Sequence, residues 1–324
     1  MHINQTIAAL DLGSQTFRLV VAGIRSGNIK ILESKLINIR LGEGLTVTGR
    51  LSDAGVKRGV EALLYFADII ANYNTDKIKA CATAALRIAS NREFFIDEVR
   101  RRTGFNIEVL SGEAEAAASA FGVYCSLKYM PALALIVDAG GGSTELTLTN
   151  GKDIISSISL NMGAVSLTEM FLGHGPGYGR AFELLEQYVK NALKKMAPNM
   201  LYAPKSIIGV GGSATTMGAM LLGMARYDPA RIRGFCPHMK ELKALLSRLK
   251  DTPLDARRAI VGLDPERADI ISAGIAIFLS VLSFFKLEYM TVTDGGLLFG
   301  LLMNLMQKEF GVHAESSYTS GIYI

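Results

Sequence analysis

Two stretches of this sequence repeat one another, and the repetition constrains the fold more than any other feature. The first is an apolar run from Thr6 to Asp11, a turn through Gly13-Ser14-Gln15-Thr16, and a second apolar run from Phe17 to Ile24. The second runs from Ala132 to Asp138, turns through Gly140-Gly141-Gly142-Ser143-Thr144, and continues from Glu145 to Thr149. Each leads through another turn (Ser26-Gly27-Asn28; Asn150-Gly151) into a third extended run, 29–39 or 153–160. Asn-Gly between β-patterned segments signals a hairpin. Two meanders sharing an Asp-to-turn connection predict a duplicated domain.

The rest of each half alternates strand and helix, which implies crossover connections and a mixed sheet covered by helices. In the first half, helical spacing of Val56, Val60, Leu63, Leu64 and Ala67 predicts a helix over 52–73 capped by Ser52. A strand over 77–82, a short helix over 83–89 and a helix over 91–103 capped by Asn91 follow, with Phe94, Phe95 and Val99 on one side. A strand over 105–110 precedes an Ala-rich helix from Ser111. In the second half, helices are expected over 164–172, 180–196, 239–250, 253–261 and 265–285, strands over 205–210 and 289–293, and a helix opening at Gly211. The expected domains are 1–125 and 126–296, with a break near 124–130. A last helix, about 297–308, is a candidate to return to the first domain, and 311–324 is a tail.

The 324 residues suffice for two domains, and 49% hydrophobic against 20% charged residues excludes a disordered or collagen-like chain. A net charge of +4 admits an anionic ligand but lacks the clustered basic residues of a nucleic-acid binder. Cys81, Cys125 and Cys236 form no CxxC pair, and His2, His174, His238 and His313 have no metal-ligand spacing. The apolar run from Ile270 to Phe285 is shorter than the ~20 residues of a membrane span and reads as a core helix. The N-terminus lacks signal-peptide character. A cytoplasmic protein without nucleic-acid or membrane partners is expected; a homodimer is left open.

The chemistry concentrates in the turns. Glycine-rich turns let backbone N–H groups converge and admit a phosphate close to them. Ser14, Thr16, Ser143 and Thr144 add hydroxyl donors. Asp11 and Asp138, at strand ends, are suited to a hydrated Mg2+ that bridges phosphate oxygens. Either motif alone reads as ordinary turn chemistry; the matched pair favours phosphate. Gly211-Gly212-Ser213 after a strand reads two ways, as a third phosphate- or nucleoside-facing turn or as glycine for tight strand–helix packing. Asp294-Gly295-Gly296 is a weaker instance. Arg87 is placed to fork onto phosphate oxygens, with a surface salt bridge as its alternative. Glu113 and Glu115 open the helix after Ser111. Residues two apart do not share a helix face, so at most one points into a cleft, and periodicity does not choose between them. The loop His174-Gly175-Pro176-Gly177-Tyr178 forms no known acid/base pair, and no GxxxxGK[ST], HExxH or GxSxG occurs.

Together these motifs resemble the exopolyphosphatase / guanosine pentaphosphate phosphohydrolase (Ppx/GppA) family of the actin-like ATPase superfamily. The likeness runs from about Ile7 to Met306. It rests on Ala9-Leu10-Asp11-Leu12-Gly13-Ser14, Arg40-Leu41-Gly42-Glu43-Gly44-Leu45, Ala82-Thr83-Ala84-Ala85-Leu86-Arg87, Ser111-Gly112-Glu113-Ala114-Glu115-Ala116, the segment Val137–Leu146, and Gly211-Gly212-Ser213. The resemblance implies an α/β fold of two ribonuclease-H-like domains with an interdomain cleft, in the short two-domain type. It implies that Glu115 is the general base toward water, that Asp138 and Asp11 hold or position Mg2+ with support from Glu145, and that Arg87 and the turn amides stabilise the transferred phosphoryl group. The turns concerned are Gly13, Ser14, Gln15 and Thr16; Gly140, Gly141, Gly142, Ser143 and Thr144; and Gly211, Gly212 and Ser213. The implied substrates are inorganic polyphosphate or guanosine pentaphosphate. The chain departs from the family pattern at Gln15 (commonly Asn), Ala114 (Glu) and Leu298-Phe299 (Arg-Glu). These departures motivate a second reading, a non-catalytic polyphosphate or alarmone sensor. A third is a small-molecule kinase of the same superfamily.

Overall fold

A computed structural model describes residues 5–25, 28–173, 180–196 and 202–311. The turn at Ser26-Gly27, the His174–Tyr178 loop, His2, His313 and the tail past Gly311 lie outside the described residues. The chain divides into two compact units. One runs to Lys128 and resumes at Gly295; the other spans Tyr129–Asp294.

The first unit opens with an antiparallel meander of β1 (Gln5–Leu12), β2 (Thr16–Arg25) and β3 (Asn28–Asn38). A single turn, α1 (Leu45–Thr48), leads to α2 (Asp53–Asn72), where Ser52 Oγ accepts from the Gly55 amide at 3.1 Å as the capping pattern predicts. Then come β4 (Lys77–Ala82), α3 (Ala84–Ile88), α4 (Arg92–Thr103), β5 (Ile107–Val109) and α5 (Gly112–Ser126). The strand order is β3-β2-β1-β4-β5, with β1, β4 and β5 parallel. Two expectations fail here. Phe94 is 64% exposed while Phe95 and Val99 are fully buried, because consecutive helical positions point about 100° apart. Asn91 does not cap α4; its amide is taken by both backbone groups of Leu51, at 2.8 and 3.0 Å, which ties the start of α4 to the start of α2.

The second unit repeats the meander as β6 (Ala134–Ala139), β7 (Thr144–Asn150) and β8 (Asp153–Leu160). It continues with α6 (Ala164–Leu167), α7 (Ala181–Met196), β9 (Ser206–Val210), α8 (Gly211–Leu221), α9 (Pro229–Ile232), α10 (Met239–Asp251), α11 (Leu254–Arg257), α12 (Ile271–Phe285) and β10 (Thr291–Val292). Its order, β10-β9-β6-β7-β8, has β6, β9 and β10 parallel and so matches the first sheet strand for strand. The mixed α/β fold with two related sheets is the one the resemblance implies.

Three predicted helices change here. The one over 164–172 switches from α to π geometry at Thr168, whose hydroxyl donates back to the Ala164 carbonyl at 2.7 Å. The one over 253–261 is a single turn. The one over 265–285 is split into a 3-10 turn, Pro265–Arg267, and α12. There Arg267, Ala268 and Ile270 each bond three residues back, and the Arg267 side chain turns inward. The run that is too short for a membrane becomes α12, buried in the core with Leu135, Val137 and Ile207. Among the described residues no helix is long and apolar enough to cross a membrane.

The last helix, α13 (Leu297–Phe310), belongs to the first unit and packs on α5, β1 and β2. Leu298 and Phe299, which replace the family's Arg-Glu, are buried in that core with Ile7, Ala9 and Val20.

Candidate active site

In both sheets the parallel strands end at the same edge, and nearly every predicted site residue follows one of those ends. In the first unit these are the turn after β1, Arg87 after β4, and Glu115 after β5. In the second they are the turn after β6 and Gly211–Ser213 after β9. Open α/β sheets bind ligands at this carboxyl edge, where turns and helix starts expose amides.

The two turns close identically. Gly13 donates to the Thr16 carbonyl at 3.0 Å, and Gly140 to the Ser143 carbonyl at 3.0 Å. The Ser14 carbonyl accepts from Gly42 and the Gln15 carbonyl from Ile39 and Arg40, each at 2.9 Å. In the second unit the Gly140 carbonyl accepts from Ala164 at 2.8 Å, and the Gly141 carbonyl from Val165 at 2.8 Å and Ser166 at 3.2 Å. A trans peptide points its N–H opposite its C=O. The amides of Gln15 and Thr16, and of Gly141 and Gly142, therefore face away from these bracing segments. Gly163 permits the second brace, since a Cβ there would lie 2.4 Å from the Gly141 carbonyl. Thr144, expected as a phosphate donor, is fully buried and donates its hydroxyl to the Met162 carbonyl at 2.6 Å. It fixes the turn from behind. Ser14, Gln15, Thr16 and Ser143 are buried.

The duplication extends to the charges. Asp11 on β1 stands opposite Arg18 on β2, and Asp138 on β6 opposite Glu145 on β7, at the same spacing in sequence. Directly opposed residues share a face. In the first unit they form an ion pair, with Arg18 donating to Asp11 Oδ2 from Nε at 2.9 Å and from its terminal nitrogen at 2.5 Å. In the second, two carboxylates face each other, and Glu145 accepts from the Ser159 hydroxyl at 2.7 Å. Opposed like charges repel, which a divalent cation relieves. Among the described residues no three His, Cys, Asp or Glu side chains gather around a common metal position. Mg2+ is commonly held by one or two carboxylates plus waters and phosphate, and Asp138 with Glu145 fits that donor set. Asp11 differs in being held by Arg18, which sequence reasoning missed. A basic residue at the Glu145-equivalent position was the signal.

At the third turn, Gly211 has φ 84°, and a Cβ on it would lie 2.6 Å from Asp138 Oδ1, so this turn borders the Asp138 carboxylate. A Cβ on Gly212 would run into the Arg267 guanidinium. Ser213 instead packs against Gly274 of α12. Both readings of this motif therefore have a physical basis, close packing at Ser213 and an arginine against the turn at Gly212. Arg267 falls within the helix expected over 265–285, where periodicity gives no sign of this contact. Asp294 is clamped by Arg233 at 2.5 and 3.1 Å, so its motif is tied to α9.

Glu115 lies in the first turn of α5, behind the Ser111 cap, whose hydroxyl accepts from Ala114 at 3.1 Å. Glu115 is 7% exposed, whereas Glu113 points to solvent. Of the two carboxylates, Glu115 is the one that turns inward. Arg87 donates to Glu115 Oε2 at 2.7 Å and to the Leu110 carbonyl at 3.1 Å.

The sequence pattern of the Ppx/GppA phosphatase family matches residues 20–309. Among curated relatives, a bifunctional 3-dehydroquinate synthase/phosphatase of Fusobacterium nucleatum is 31% identical over 93% of this chain and 47% of its own length. A guanosine-5'-triphosphate,3'-diphosphate pyrophosphatase of Aeromonas salmonicida is 28% identical over 94% of this chain and 61% of its own. The chain thus spans about half to three-fifths of those two proteins. A putative exopolyphosphatase of Haemophilus influenzae is 28% identical over 94% of this chain and 93% of its own. The crystal structure of the Aquifex aeolicus member of the Ppx/GppA family superposes with a TM-score of 0.80 at 31% identity, covering 94% of this chain and 99% of that one. With the repeated turns, the paired sheets and this match over most of its length, the chain belongs to the Ppx/GppA phosphatase family.

Proposed function

We propose that this protein is a Mg2+-dependent phosphoanhydride hydrolase that releases the terminal phosphate of inorganic polyphosphate or of guanosine pentaphosphate. The observation that carries the proposal is Glu115, a buried carboxylate at a helix start, oriented by Arg87. The names of the Aeromonas and Haemophilus relatives support a phosphoanhydride substrate.

Glu115 takes a proton from a water molecule, whose oxygen attacks the terminal phosphorus. The bond from phosphorus to the bridging oxygen breaks, and orthophosphate and the shortened chain leave. The amides of each turn, Gln15 and Thr16 in the first and Gly141 and Gly142 in the second, are donors suited to phosphate oxygens, where charge is concentrated during transfer. Arg87 adds a fork of donors. Asp138 and Glu145 would hold Mg2+, and Asp11, paired with Arg18, is the matching carboxylate of the first unit. When bound, that ion neutralises charge on the phosphate oxygens.

The test is orthophosphate release from tripolyphosphate and from guanosine pentaphosphate, with and without Mg2+. Release from either that stops on chelation supports the proposal. Binding without release over hours points to the sensor, and a phosphorylated acceptor to the kinase.

A further inference from the structure

We infer that Arg58 is a positioning residue for the first phosphate turn, an inference that rests on the phosphate-binding reading above. The two turns are braced by different means. In the second unit the start of α6 supplies the amides that hold the Gly140 and Gly141 carbonyls. The first unit has no helix there. The segment 39–42 does the same work, with Ile39, Arg40 and Gly42 donating to Gln15 and Ser14. To present those amides Arg40 adopts φ 53°, a left-handed conformation disfavoured for a residue with a Cβ. Such a segment holds its shape only where its surroundings impose it.

Arg58 on α2 imposes it. Its Nε donates to the Ile39 carbonyl at 2.7 Å, and a terminal nitrogen reaches the Arg40 carbonyl and Glu43 Oε2, both at 3.4 Å. The chain of bonds runs from Arg58 to the carbonyls of Ile39 and Arg40, and from the amides of those residues to the Gln15 carbonyl. It ends at the turn whose amides face the other way. Arg58 touches no proposed reacting atom; it acts through the backbone. It is only partly buried, so its replacement leaves the core intact.

The experiment measures KM and kcat for tripolyphosphate in Arg58→Met, Arg58→Lys and Lys57→Met. Lys57 neighbours Arg58 on the same helix, and its side chain is 78% exposed, so Lys57→Met removes the same charge without touching the brace. Arg58→Met is expected to raise KM about tenfold, the factor of one charge-assisted hydrogen bond, with kcat within about threefold. Arg58→Lys recovers part of the loss, and Lys57→Met leaves both constants unchanged. An unchanged KM in Arg58→Met, or an equal rise in Lys57→Met, overturns the inference. Calorimetric titration of tripolyphosphate, below the melting temperature of each variant, separates this from the hydrolase reading. If the wild type binds but releases no phosphate, the hydrolase reading fails. The same tenfold loss of affinity in Arg58→Met still supports positioning, and an unchanged affinity overturns it.

Discussion

Arg87 and Glu115 are 28 residues apart in sequence and meet at 2.7 Å, one following β4 and the other opening α5. Each follows a parallel strand at the same sheet edge, and the Leu110 carbonyl, one residue before the α5 cap, accepts from the same Arg87 nitrogen that holds Glu115. The arginine thus fixes the orientation of the carboxylate.

Glu115→Gln is expected to lower kcat at least about 100-fold, the usual contribution of a general base, while tripolyphosphate binding survives. Stopped phosphate-release assays and calorimetry read the two quantities. Turnover within a few-fold of wild type would remove Glu115 from the mechanism.

The opposed pairs on β1/β2 and β6/β7 separate the proposed metal ligands. Asp138→Asn and Glu145→Gln should each raise the Mg2+ concentration for half-maximal rate by at least about tenfold, the lower end of what even outer-shell losses cost. Asp11→Asn should raise it less, because Arg18 already holds that carboxylate. Mn2+ binding followed by electron paramagnetic resonance checks the order without turnover, and a larger loss in Asp11→Asn contradicts it.

Gly163→Ala forces a Cβ against the Gly141 carbonyl. Overpacking of this kind costs about 1–3 kcal/mol. Thermal denaturation should show a lower midpoint, and activity should fall with it as the second turn shifts. A variant with wild-type midpoint and rate would show that this brace yields without effect.

Burial pushes the Cys81 and Cys125 thiols up to about 12 from 9.0, while Cys236 is exposed. Near pH 8 a thiol-specific reagent should label Cys236 quickly and the other two only on unfolding. The folded-state values are raised, so the folded chain keeps its thiol protons where the unfolded chain loses them. The stability involved is fully present below pH 9 and is lost as pH rises from 9 toward 12. Urea midpoints measured across that range should fall, and less steeply in Cys125→Ala.

The sequence by itself determined the duplication, the two Asp-to-turn connections and the Ser52 and Ser111 caps. These are local: a turn or a cap is specified by a few adjacent residues and the bonds they make with one another. The family motifs also singled out Glu115. Only the tertiary structure decided what depends on partners far along the chain. Periodicity could not separate Glu113 from Glu115, because the difference lies in the neighbours of α5. Arg18, Arg58 and Arg267 take their partners from packing: strand pairing sets Arg18 on Asp11, α2 meets the 39–42 segment, and a broken helix turns Arg267 onto Gly212. Thr144 lost its expected role for the same reason, since Met162 supplies an acceptor that no local pattern announces. A side chain's type fixes which bonds it is able to make, and packing fixes which of them it makes.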